Sequence, residues 1–76
     1  FFINRLSKLT NSEWRILVHL YEGKNIKEIS REEVLSEETV KLHIRHILRK
    51  LGFDSTREMV AYLKEIRFWD YFKREM

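Results

Sequence analysis

Residues 36–52 read SEETVKLHIRHILRKLG and set four basic side chains and two histidines against two acidic side chains. Wound as a helix, Val40, Ile44, Ile47, Leu48 and Leu51 form one aliphatic ridge at the 3.6-residue period. That ridge leaves Glu38, Leu42, Arg45, His46 and Arg49 on the far side, with Lys41 on the flank. Arg and Lys donate hydrogen bonds to guanine O6 and N7 or to phosphate oxygens, and an apolar side chain can meet a thymine methyl. Lys and Arg on the outside of a helix commonly do no more than keep it soluble. An exposed Leu42 between Lys41 and Arg45 is out of place on a merely solvated face, and natural on one that reads bases.

Other chemistry is poorly supported. There is no cysteine, which excludes disulfides and thiolate metal sites and fits a reducing cytosol. His43 and His46 stand at i, i+3 and could bracket a metal, but too few carboxylates lie near them in sequence to complete the set. His19 reads as an ordinary surface group. No Ser-His-Asp arrangement, glycine-rich phosphate loop or metal-hydrolase motif is present, so neither an enzyme nor a cofactor is expected. The formal net charge is only +3, and its placement matters more than its size. Residues 1–35 hold six basic and five acidic groups and residues 53–76 hold five of each, so the excess is densest in 36–52. No apolar run approaches the ~20 residues of a membrane span, and the expected location is cytoplasmic. The chain starts at Phe1 rather than Met, and is therefore expected to be cut from something longer.

The elements that position these residues are marked by their ends. A chain of 76 residues buries roughly 60% of its unfolded surface, enough for one small core. With no proline and two glycines, the composition favours helices. Thr10 with Glu13, Asn25 with Glu28, and Ser55 with Glu58 have the spacing of capping boxes, and Ser36 reads as a plain N-cap before Glu37 and Glu38. Gly23 and Gly52 sit where the first and third helices should stop. The first helix is expected over about 11–22 with an inward stripe of Trp14, Leu17, Val18 and Tyr21. The second is expected over about 26–33, followed by a tight apolar turn of Val34 and Leu35, and the third over about 37–51. The fourth starts at Thr56 and is expected to run past residue 70, with Met59, Tyr62 or Leu63, Ile66 and Trp69 as its stripe. Residues 1–8 read as a linker or a helical tail from a preceding domain. Phe68, Trp69, Tyr71 and Phe72 either fold back over Trp14 or form a contact surface, while Asp70 and Glu75 interrupt any membrane-surface face.

The second and third helices are joined by three residues, the spacing of a helix-turn-helix whose first helix braces the second in the DNA major groove. Here the sequence becomes specific. LTNSEWRILVHLYEGKNIKEIS followed by SEETVKLHIRHILRKLGF resembles the LuxR-type (GerE, NarL/FixJ) DNA-binding domain. The likeness lies in a Leu-Thr start, an apolar helix ending in Gly, a Lys-Glu-Ile segment, Ser-x-x-Thr-Val-Lys-x-His, and Ile-Leu-x-Lys-Leu-Gly, in order and without gaps. Ser55, Glu58, Val60, Ala61 and Tyr62 are similar to that family's fourth helix. The resemblance implies that Lys41, Leu42 and Arg45 read bases. It also implies that Lys27, Thr39 and Lys50 match or lie near phosphate-holding positions, and Arg49 joins them from the same outer face. His43 matches a family position and is expected to pack or to bond near the backbone. The fourth helix would supply a dimer contact, through Tyr62, Leu63, Ile66 and Trp69.

Some residues depart from the family. Glu33 stands where a buried Leu is usual, on the face of Ile26 and Ile29, so it must pair, protonate or swing out; Val34 filling its place is one resolution. Glu32, Glu33, Glu37 and Glu38 cluster around the turn, where their repulsion should weaken DNA affinity. Ile26 replaces a usual polar residue, and Thr56-Arg57 reverses the usual order.

The expected architecture is therefore all-α: a four-helix LuxR/GerE-type helix-turn-helix domain over residues 9–76, with the third helix as recognition helix and an extended fourth. The implied function is that of a transcription regulator's output domain that binds double-stranded DNA as a homodimer, behind a sensory or receiver domain of the response-regulator kind. The alternative is a protein-interaction module that keeps this fold with weak or lost DNA binding.

Overall fold

In the computed structural model, residues 5–67 are described. They include four helices, α1 (Asn11–Tyr21), α2 (Ile26–Glu33), α3 (Glu37–Leu51) and α4 (Thr56–Glu65), and Arg5 and Leu6 are helical ahead of them. The caps are those the spacing predicts. Thr10 and Asn25 each accept from the backbone N–H three residues on, and Glu13 and Glu28 accept from Thr10 and Asn25 N–H in return. Ser36 and Ser55 accept from Thr39 and Glu58 N–H. Gly52 ends α3 in the left-handed region at φ 82°, where a Cβ would also stand 2.6 Å from Arg5 Nη1.

α3 is the element around which the others gather, packing on α1, α2 and α4. Its ridge of Val40, Ile44, Ile47 and Leu51 is buried as expected, with Leu48 half-buried beside it. α1 is rotated relative to its expected stripe. Its buried face is Glu13, Ile16, Leu17 and Leu20, while Trp14, Val18 and Tyr21 are only half-buried. The cause is that α1 touches both α3 and α4, so a run as apolar as Ile-Leu-Val offers more than one inward phase. The phase that wins is the one that carries Glu13 inside.

Leu6 and Leu9 belong to the core, and Arg5 Nη1 donates to the Leu51 carbonyl at 3.2 Å, so residues 5–9 pack on the helices. Two other expectations are corrected. α4 buries Met59 and Leu63 but ends at Glu65, short of the expected run past residue 70, and Arg67 turns to φ 56°. The aromatic tail from Phe68 onward, Trp69 included, lies outside the described residues. Finally, Val34 does not fill the place of Glu33. It is 88% exposed, while Leu35 packs against the core in its stead.

Val34 also sits in the left-handed region at φ 55°, ψ 50°. A β-branched residue there crowds its Cβ against the following carbonyl, at a cost of roughly 1–2 kcal/mol. Its side chain recovers little of that by burial. Val34→Gly is therefore expected to raise the unfolding free energy by about 1 kcal/mol, or a melting temperature roughly 4–8 °C higher. A thermal melt followed by circular dichroism checks it, and an unchanged or lower midpoint contradicts the strain.

Candidate nucleic-acid interface

The α2–α3 unit is built from the turn outward. Val34, Leu35 and Ser36 alone separate Glu33 from Glu37. Ser36 Oγ accepts from Thr39 N–H at 3.1 Å and donates to Thr39 Oγ1 at 2.8 Å. Because the opposite ridge is locked in the core, the outer face of α3 is held outward. Lys41, Arg45 and Arg49 are exposed, and Leu42 is 45% exposed. Lys41 keeps only a loose pair with Glu38, 3.6 Å away between two well-exposed side chains.

The structure divides the cations near this face into two sets. Lys27, Arg45 and Arg49 have no ion pair among the described residues, and all three are exposed. Arg15, Lys24 and Lys50 are committed to carboxylates. Lys50 is the correction that matters most. Its Nζ lies 2.7 Å from Glu13 Oε1 and 3.2 Å from the Lys8 carbonyl oxygen, to both of which it donates. It therefore joins α3 to α1 instead of facing outward with Arg49.

Glu13 is the buried end of that link, at 3% exposure. Burial pushes its carboxyl up, but the Lys50 hydrogen bond, the Thr10 N–H at 2.9 Å and the nearby charges of Lys50 and His46 outweigh it. The net result is a carboxyl held below its ordinary value.

Glu33 is half-buried and pairs, one of the three outcomes its position allowed. Its Oε1 accepts from Arg15 Nε at 2.9 Å and its Oε2 from His19 Nε2 at 2.8 Å. The His19 hydrogen bond lowers the Glu33 carboxyl most, burial opposes it, and Arg15 lowers it further, leaving it below the ordinary range. His19 is not the plain surface group expected. Its Nδ1 lies 3.2 Å from Lys24 Nζ while its Nε2 faces Glu33, so the ring bridges the two side chains. Lys24 also pairs with Glu32 at 3.0 Å. Two of the four carboxylates around the turn are thus neutralised by partners from α1 and the α1–α2 loop, while Glu37 and Glu38 stay exposed. The sequence clue to both networks was the same: an ionisable residue on an apolar stripe.

The remaining residues fall as follows. His43 is half-buried, with Nδ1 enclosed and without a hydrogen-bond partner among the described residues, so it packs rather than bonds there. Leu63 is fully buried in the domain's own core, which removes it from the dimer candidates. Tyr62 and Ile66 are 36% and 42% exposed, and Tyr62 lies against Phe53 with ring centroids 5.4 Å apart. No helix of the described residues is long and apolar enough to cross a membrane.

Residues 7–63 match the luxR family of bacterial regulatory proteins. The chain belongs to that family. It is a DNA-binding helix-turn-helix regulator domain, with the family match spanning every helix from α1 to within the last turn of α4. No solved structure matches the chain.

For this LuxR-family domain, Lys50→Met is expected to cost about 3 kcal/mol of stability by stranding a buried carboxylate. Urea titration of the variant measures it. A loss below the spread of ordinary surface substitutions, about 0.5 kcal/mol, contradicts the bracing role. The two lowered carboxyls also set the acid response. Each contributes stability that is present above the ordinary carboxylate value of 4.5 and lost as pH falls through its lower folded value. The urea midpoint should therefore fall progressively below pH 4.5. Glu33→Gln should make that fall shallower, and an identical pH profile for the variant contradicts the Glu33 contribution.

Proposed function

We propose that this LuxR-family domain reads duplex DNA by laying α3 in the major groove, with Lys41, Leu42 and Arg45 at base edges and Lys27, Thr39 and Arg49 on phosphates. The observation that carries the reading is an exposed leucine between two exposed cations, on a helix whose opposite ridge is buried. A solvated helix gains nothing from Leu42 in that place, whereas a groove supplies thymine methyls for it and guanine acceptors for Lys41 and Arg45. Lys27, Arg45 and Arg49, three of the described cations without an ion pair, lie where such docking needs charge, on α3 and at the start of α2. Lys50 is left out of the set because Glu13 holds it.

In this reading two copies bind two half-sites, with Tyr62 on α4 and Ile66 at its C-cap as the contact between them. The domain is the output end of a cytoplasmic regulator, and its input comes from a sensory or receiver domain. An interaction module that has lost DNA binding draws its support from the acidic cluster around the turn and from the aromatic tail. The pairing of Glu32 and Glu33 weakens the first of these.

Duplexes selected from a random pool supply the test. Arg45→Ala should weaken the selected duplex by about 1–3 kcal/mol in fluorescence anisotropy and leave a scrambled duplex nearly unchanged. Arg49→Ala should weaken both alike and lower the slope of log K against log salt by about 0.9. Equal loss on both duplexes for Arg45→Ala overturns its base-reading role. Salt-insensitive self-association with no shift on any duplex favours the interaction module.

A further inference from the structure

An open groove of about 600 Å3 lies between the end of α1, the first turns of α2 and α4, and the middle of α3. Its apolar surface comes from Leu20, Ile26 and Ile44, and its charge from Lys24, Lys27 and Lys41. No carboxylate is among the described residues that line it, in a chain with 12 acidic side chains. This is the size and make-up of a small-molecule site, an apolar floor with a few polar groups at its edge.

The charges around the groove are unequal. Lys24 is held by Glu32 at 3.0 Å, by Glu22 at 3.5 Å and by His19 at 3.2 Å. Lys27 has no ion pair among the described residues, and Lys41 has only the loose one with Glu38 at 3.6 Å. Two cations are therefore available to an anion in the groove. Ile26 is the second clue. It is the first residue of α2, half-buried, and its side chain packs on the core while also lining the groove. A bare phosphate has no use for that apolar surface, but a ligand with an apolar body does.

We infer that this groove binds a small organic anion, with its phosphate or carboxylate at Lys27 and Lys41 and its apolar body against Leu20, Ile26 and Ile44. Because Lys27 and Lys41 are also placed on DNA above, an occupant competes with the duplex. That consequence rests on the DNA reading, whereas binding in the groove does not.

Phenyl phosphate, inorganic phosphate and phenol are the probes, followed by amide shifts of the 15N-labelled chain. Phenyl phosphate is expected to give saturable shifts centred on residues 25–27, 41–44 and 56, with inorganic phosphate and phenol each roughly tenfold weaker. Ile26→Ser should weaken phenyl phosphate several-fold, and Lys27→Gln should do the same, while a melt shows that both variants still fold. Shifts spread over the chain, or equal response to inorganic phosphate, or to phenol, overturn the site. Adding a selected duplex should release phenyl phosphate. Phenyl phosphate that stays bound beside the duplex overturns the competition, and a chain that binds phenyl phosphate but no duplex supports the groove while sinking the DNA reading.

Discussion

A carboxylate inside the core governs how this domain is assembled. Glu13 is almost fully buried, and a buried charge must be paired and hydrogen-bonded or it is expelled or neutralised. Its partners are Lys50 from the last turn of α3 and the N–H of Thr10 at the start of its own helix. That pair sets the rotation of α1 on α3, which hydrophobic burial alone left open because α1 is apolar over more than one face. Once α1 is set, Ile16, Leu17 and Leu20 meet the α3 ridge, and the outer face of α3 has only solvent or a ligand to meet. Internal electrostatics and the external surface are in this way one problem.

The same logic sorts the cations. A domain of this size carries 15 Lys and Arg, and counting them says little about partners. What matters is which are already bound to the protein's own carboxylates. Arg15, Lys24 and Lys50 are, while Lys27, Arg45 and Arg49 are not. A cation held in a partly buried pair surrenders that pair when it contacts a phosphate, whereas a solvated one releases counterions instead. Lys27, Arg45 and Arg49 all belong to the α2–α3 unit, a placement that the net charge of +3 does not convey.

Glu33 shows how a carboxylate on a packed helix face is accommodated. A carboxylate on the inner side of α2 meets Arg15 and His19 from α1, so a contact between these helices is ionic where burial of an aliphatic side chain would otherwise serve. His19 passes the link on to Lys24, and Lys24 to Glu32. The acidity around the turn is thereby partly absorbed into structure, and Val34 is left outside in a strained conformation that no burial offsets.

The sequence by itself determined what depends on neighbours in the chain. The four helices, their caps and the α3 ridge follow from side chains three and four residues apart, and so does the outward placement of Lys41, Leu42 and Arg45. Those interactions close within a few turns, and the residues that make them are adjacent in the text. The family was legible for the same reason, since its motif is a local spacing. Only tertiary structure decided the rotation of α1, the pairing of Lys50 with Glu13 and of Glu33 with Arg15 and His19, and the burial of Leu63 and Leu6. Each depends on groups 14 to 46 residues apart meeting in space, or on how many elements one helix touches. No pattern along a single helix carries that information, because the energy of a buried charge is set by what faces it and not by what precedes it.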